Sequence, residues 1–337
     1  MTRIAVVGAG AWGTVLADLL ARKGDAVTIW AYEPEVVESI NRAHQNHLFL
    51  PDAALASGLR AGGDIAAVVR DAEVIVSAAP SHVVRAVMAR VATALTGRGR
   101  RPLVVSVSKG LEPERLSTPC GVLQEVLPPG TPLAALSGPS FAQEVYQRQP
   151  TAVVAAAQDH DVALQVQQTF STASFRVYSL TDVIGVELAG ALKNVIALAA
   201  GFLEGLGLGY NTRAALITRG LAEITRLGVA AGAEPATFAG LAGMGDLILT
   251  ATGGPLSRNH SLGVELGRGV PLEKALAGRA TVAEGVNTAR AAVTLGERHG
   301  VELPIAQQVT EVLFHGKAPR QAVADLMERD LKTEQWR

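Results

Sequence analysis

Seven short apolar runs punctuate the first half of the chain: RIAVVG (Arg3–Gly8), AVTIWA (Ala26–Ala31), EVIVSA (Glu73–Ala78), PLVVSVS (Pro102–Ser108), LAALSG (Leu133–Gly138), TAVVAAA (Thr151–Ala157) and FRVYSL (Phe175–Leu180). Most are continuously apolar rather than alternating, the pattern of strands covered on both faces. Helical stretches such as Thr14–Lys23 and Val83–Leu95 separate them. Alternating β and α elements predict a parallel, doubly wound sheet. After about Thr181 the β-type runs stop and VIGVELAGALKNVIALAAG begins, with Asp182 placed to cap a helix. Mainly helices follow, joined by glycine-rich stretches read as loops, GLAGMGD and ATGGPLSRN. The pattern predicts an α/β, Rossmann-like doubly wound domain over residues 1–180 and an all-α domain over 181–337. No internal repeat or low-complexity tract interrupts either half.

GAGAWG, Gly8 to Gly13, stands directly after the first β-type run and before the first helix. It matches G-x-G-x-x-G, and each glycine has a physical task. Gly8 permits a tight turn, Gly10 lets backbone approach a pyrophosphate, and Gly13 lets helix and strand pack closely. The helix start, with Ala11 and Trp12, offers free N–H groups to an anion. The next run ends in YEP, placing Glu33 where an acidic group binds ribose hydroxyls. A 2′-phosphate would call for an arginine there, and the nearest basic residue after that run is Arg42. The expected cofactor is NAD or NADP, with NAD favoured by Glu33.

Composition narrows the class. The formal net charge is −1, which argues against general nucleic-acid binding while leaving room for a local basic pocket. Cys120 is the single cysteine, so no intrachain disulfide forms, and a reducing cytoplasm is expected. The start MTRIAVVGAG lacks the pattern of a signal peptide, and Lys193 and Glu204 break the longest apolar stretches, so no membrane span is expected. The two histidines of HQNH, His44 and His47, have no third ligand nearby, and no metal is expected. Cys120 reads as a small packed residue.

One position resists a purely structural reading. Lys193 and Asn194 interrupt an Ala- and Gly-rich helix, with Gly190, Lys193 and Ala197 on one face. Taken alone, such a lysine reaches solvent along its stem. It does not stand alone. GAGAWGTVLA, NRAHQNHLFLP, SVSKGLE, LSGPSFAQEV, ELAGALKNVIALAAG, GLAGMGDLILTATG, SRN and TVAEGVNTA occur in one order across nearly the whole chain. Together they resemble the NAD(P)-dependent glycerol-3-phosphate dehydrogenases of the bacterial, soluble type.

That resemblance implies reduction of dihydroxyacetone phosphate to sn-glycerol 3-phosphate, for glycerophospholipid synthesis, by a cytoplasmic homodimer. It places the proton donor on Lys193, with Asp246 and Lys109 completing the catalytic set. It implies substrate contacts at Lys109, Gly138, Ser140, Lys193, Asn194, Asp246, Ser257, Arg258 and Asn259. Cofactor contacts fall on Gly8, Gly10, Ala11, Trp12, Gly13, Tyr32, Glu33, Lys109, Ala142, Arg258, Val282 and Glu284. The chemistry agrees with these residue types. A developing alkoxide needs an acid, and a dianionic phosphate suits a bidentate arginine beside a helix start. The chain departs from the family's TCTG stretch, carrying TATG with Ala251 and a following GG. Two other readings remain open: a related dehydrogenase of hydroxy acids or ketopantoate, and a non-catalytic dinucleotide sensor.

Overall fold

The computed structural model describes residues 1–277, 283–331 and 333–334. Eight strands form one sheet: β1 (Arg3–Val7), β2 (Ala26–Trp30), β3 (Arg60–Gly62), β4 (Val74–Ser77), β5 (Leu103–Ser106), β6 (Leu133–Ser137), β7 (Thr151–Ala156) and β8 (Phe175–Leu180). Their spatial order is β3-β2-β1-β4-β5-β6-β7-β8. The first six are parallel, with Val6 beside both Ile29 and Val76, so the order reverses between β1 and β4. Ligands of open α/β sheets bind outside the strand C-termini at such a switch point.

The apolar runs become strands because both faces are covered. Ile4, Val6, Ile29, Val74 and Val105 pack under the helix Ala11–Lys23 on one face, with its Val15, Leu16 and Leu20. Ala5, Val7, Ile75 and Val104 pack on the other face, against Met88, Val91 and Leu123. Each large apolar side chain buried in this way contributes about 1.5–3 kcal/mol.

Three features depart from the sequence reading. The edge strand β3 was not expected, because RAG carries no apolar run. β7 runs antiparallel to β6, with Leu136 opposite Ala155, and carries β8 with it. The helix between them, Ala142–Tyr146, has five residues. It rises about 7.5 Å, too little to return along a strand of about 17 Å, so the chain turns back instead. Third, GLAGMGD is not a loop: Leu241–Gly245 forms a π-helical turn that runs into the helix Asp246–Thr252.

The expected cap at Asp182 is present; its carboxylate accepts the Gly185 N–H at 2.8 Å. It starts the long helix Val183–Gly205, buried from Gly185 to Leu203. By length and composition this helix could cross a membrane, but 89% of its apolar window is buried inside the protein. A helix apolar all round belongs in a core. Here it is surrounded by the helices Tyr210–Ala230, Asp246–Thr252, Arg258–Gly267 and Glu284–His299.

The tightest of these contacts is made by glycines. A Cβ on Gly201 would lie 2.8 Å from Gly263 Cα and 2.2 Å from the His260 carbonyl oxygen, and one on Gly205 would lie 2.8 Å from Gly267 Cα. Two glycines four apart on each helix thus bring the backbones together. This contact carries the start of the helix Arg258–Gly267 up to the middle of the long helix. Cys120, Ala135, Val154, Ala156, Val186 and Ala242 form a smaller cluster that joins sheet to helices.

Candidate active site

The GAGAWG turn sits where β1 ends beside β4. Gly8 has φ +123°, and a Cβ there would lie 2.8 Å from the Ala78 carbonyl. A Cβ on Gly13 would lie 2.0 Å from the Gly8 oxygen, so the first helix packs directly on the turn. Gly10 differs: a Cβ there meets nothing within 4 Å. The helix that starts at Ala11 has no side-chain cap on its first N–H groups, as a pyrophosphate site requires. Glu33, half-buried, begins the next helix at the end of β2, and Tyr32 is exposed beside it. Trp12 leans on Phe175, ring centroids 6.3 Å apart, and its buried Nε1 has no partner among the described residues. These residues fit a dinucleotide. Val282 lies outside the described residues.

A second group forms where the sheet meets the long helix. Lys109 follows β5 and donates from Nζ to the Gly138 carbonyl at 3.0 Å and to Asp246 Oδ2 at 2.6 Å. Lys193 donates to the other oxygen of the same carboxylate, Asp246 Oδ1, and to Thr250 Oγ1 at 2.7 Å. The Thr250 hydroxyl in turn donates to the Asp246 carbonyl at 2.7 Å. Lys193 is 5% exposed and Asp246 is 1% exposed. Gly190 lets Lys109 lie against the long helix; a Cβ there would come to 3.0 Å from Ser137 Oγ and 3.7 Å from Lys109 Cγ.

Burial governs the charges. It lowers the Lys193 pKa to about 7; Asp246 pulls it up, and the Lys109 charge pushes it down again. Burial would raise the Asp246 carboxyl, but the ammoniums of Lys109 and Lys193 outweigh it and hold it below its usual value. The cluster is two cations sharing one carboxylate, with one proton held loosely on Lys193.

Ser257 caps the helix Arg258–Gly267, its Oγ accepting the His260 N–H at 3.3 Å. Arg258 is exposed, and its guanidinium makes no hydrogen bond or ion pair among the described residues. Desolvation lowers its pKa while the charge of Glu284 raises it. Asn259 is committed within the protein: Nδ2 donates to Asn194 Oδ1 at 2.9 Å, and Oδ1 accepts the Gly285 N–H at 2.9 Å. Glu284 reaches across to the sheet, accepting from Ser81 Oγ at 2.5 Å and from Ser81 N at 3.2 Å. Ser140 donates to the Gly138 carbonyl at 2.9 Å, and Ala142 opens the next short helix.

The expected residues therefore fall into two groups. Lys109, Gly138, Ser140, Lys193 and Asp246 lie in one hydrogen-bonded cluster, while Ser257, Arg258, Asn259 and Glu284 belong to the helix starts beside it, with Asn194 facing them from the middle of the long helix. Sequence reading missed Thr250 and Ser81. Thr250 had a signal, since it follows Asp246 by one helical turn; Ser81 had none. No group of three metal-ligating side chains converges among the described residues. Cys120 is buried, its thiol pKa raised well above normal first by burial and then by Glu187, which accepts the Cys120 N–H at 2.8 Å.

Known proteins are similar to this chain over nearly its whole length. A family model described as NAD-dependent glycerol-3-phosphate dehydrogenase N-terminus matches residues 3–163, and its C-terminus counterpart matches residues 182–324. The NAD(P)+ glycerol-3-phosphate dehydrogenase of Geobacter sulfurreducens is 54% identical over 338 residues, covering 99% of this chain and 99% of that one. The crystal structure of glycerol-3-phosphate dehydrogenase from Coxiella burnetii has a TM-score of 0.92 at 37% identity, covering 97% of this chain and 99% of that one. A ketopantoate reductase from Ralstonia eutropha shares the fold alone, with a TM-score of 0.58 at 17% identity, covering 95% of this chain and 99% of that one. With both halves matched and more than half the positions shared with a full-length relative, the chain belongs to the NAD-dependent glycerol-3-phosphate dehydrogenase family, whose members are NAD(P)-dependent oxidoreductases.

Proposed function

We propose that this chain reduces dihydroxyacetone phosphate to sn-glycerol 3-phosphate, with Lys193 as the proton donor. The observation that carries the assignment is the buried Lys193–Asp246–Lys109 cluster at the C-terminal edge of the sheet. In this reading residues 1–180 hold the dinucleotide, and residues 181–337 supply the acid and the phosphate site. The bound nicotinamide supplies the hydride.

Each residue then has a defined task. Lys193, held by Asp246 and Thr250, gives its proton to the oxygen that becomes the substrate's alkoxide. A pKa near 7 suits this, because a donor works best when its pKa is close to the operating pH. In the oxidation direction the neutral amine takes the proton back. Asp246 stays ionised and compensates the charge of Lys109, which contacts the substrate. Arg258 and the N–H groups beside Ser257 bind the phosphate; the free guanidinium supports that task. The Asn259 side chain acts by fixing Asn194 and Gly285 rather than by reaching for the substrate. Glu33 favours NADH over NADPH by opposing a 2′-phosphate. The family resemblance supports a homodimer acting in the cytoplasm.

The test is direct. Purified protein oxidises NADH when dihydroxyacetone phosphate is added, and oxidises NADPH less efficiently. Cofactor binding without ketone-dependent oxidation would favour a non-catalytic sensor and overturn the assignment.

A further inference from the structure

The HQNH stretch has no task in the chemistry above, yet its asparagine is fully buried and fully bonded. Asn46 is 0% exposed. Its Nδ2 donates to the Ala9 carbonyl at 2.7 Å and to Thr14 Oγ1 at 2.8 Å, and its Oδ1 accepts the Phe49 N–H at 3.1 Å. Thr14 Oγ1 itself donates to the Ala9 carbonyl at 3.1 Å. Two donors thus converge on one carbonyl, and that carbonyl belongs to the second residue of GAGAWG. The loop that carries Asn46 is held in turn: Leu50 N–H bonds the Asn46 carbonyl at 2.9 Å, Leu55 N–H bonds the His44 carbonyl at 2.8 Å, and Ser39 Oγ donates to the Gln45 carbonyl at 2.8 Å.

A trans peptide points its C=O and the following N–H in opposite directions. Holding the Ala9 oxygen inward, on Asn46 and Thr14, therefore turns the Gly10 N–H outward. No acceptor among the described residues takes that N–H, and a Cβ on Gly10 meets nothing within 4 Å. Were the peptide free to rotate, its carbonyl would compete for the same direction and present a partial negative charge to an anion. We propose that Asn46, with Thr14, is a positioning residue for the dinucleotide: it locks the peptide between Ala9 and Gly10 so that the Gly10 N–H faces the cofactor's pyrophosphate. The inference rests on the reading that GAGAWG holds the cofactor.

The experiment measures NADH and NADPH dissociation constants by nicotinamide fluorescence, alongside kcat, KM for dihydroxyacetone phosphate and Tm. Asn46→Leu removes the amide donor to the Ala9 carbonyl without adding charge, and Thr14→Val removes the hydroxyl donor at nearly constant volume. Both raise the dissociation constants of both cofactors, Asn46→Leu by roughly tenfold or more, the scale of a lost buried hydrogen bond. At saturating cofactor, kcat and KM for the ketone stay within about twofold. Thr14→Ser, which keeps the hydroxyl, restores wild-type affinity.

Thr14→Val keeps the proposal falsifiable if Asn46→Leu does not fold. Unchanged cofactor affinity in the folded variants overturns the proposal. So does an equal loss in Tm, kcat and both substrates' constants, which marks a purely structural pin. Gly10→Val separates the premise from the inference, because the Cβ it adds meets no protein atom within 4 Å. It abolishes cofactor binding if GAGAWG is the site. Retained binding overturns the reading and the proposal together, whereas lost binding with unaffected Asn46→Leu overturns the proposal alone.

Discussion

Lys109 and Lys193 hold opposite oxygens of one buried carboxylate, that of Asp246. Lys109 comes from the sheet and Lys193 from the long helix, so Asp246 ties the two halves of the protein together at the point where chemistry is proposed. An isolated buried ammonium is costly, and this pairing offsets part of that cost.

Replacing Lys193 by Met keeps the stem and removes the proton. Turnover falls by roughly 10²-fold or more, the scale of lost general acid catalysis. Cofactor affinity, followed by nicotinamide fluorescence, stays near wild type. Near-normal turnover in this variant would remove Lys193 from the mechanism.

The lowered Lys193 pKa sets a pH dependence. An ordinary lysine keeps its proton to about pH 10, whereas Lys193 loses it near pH 7. The rate of ketone reduction therefore declines as pH rises through about 7, and the rate of alcohol oxidation climbs over the same interval. Asp246→Asn removes the attraction that raises the Lys193 pKa, so the decline moves to lower pH. Profiles of kcat/KM in both directions check the sign; matching profiles for wild type and Asp246→Asn would show that the carboxylate does not tune this lysine.

Arg258→Ala removes a guanidinium that makes no hydrogen bond or close ion pair among the described residues and feels only the charge of Glu284. Few native contacts are lost, so Tm holds while KM for dihydroxyacetone phosphate rises by roughly tenfold or more, as expected for a charge-assisted phosphate contact. An unchanged kcat/KM would place the phosphate elsewhere.

Gly201→Ala tests how the phosphate site is held in place. Its Cβ would lie 2.2 Å from the His260 carbonyl oxygen, a backbone atom that cannot yield without moving the helix. Overpacking of this kind costs about 1–3 kcal/mol, read as a lower Tm. The shift also carries Arg258 with it and raises the substrate KM. An unshifted Tm would show that the two helices are not held at contact distance.

Local patterns were enough for the sequence to disclose seven of the eight strands, the glycine turn and the cap at Asp182, while Lys193, Lys109, Asp246 and Arg258 were singled out by the resemblance of whole motifs to a family. Continuous apolar runs, glycine spacing and a polar residue inside an apolar helix are all properties of neighbouring positions. The direction of β7 was not legible, because an apolar strand reads the same either way; the five-residue helix before it decides. Ser81 as the partner of Glu284 and Asn46 as the clamp on Ala9 were likewise invisible, and Thr250 was marked only by standing one helical turn after Asp246. Each is a hydrogen bond or ion pair between side chains or backbone groups, most of them far apart along the chain. Its existence depends on how helices and strands pack, through contacts such as the Gly201–Gly263 approach. Residue identity and order supplied the groups able to do the chemistry. Tertiary packing decided which of them meet, because burying a lysine beside a carboxylate and a second lysine is what loosens its proton.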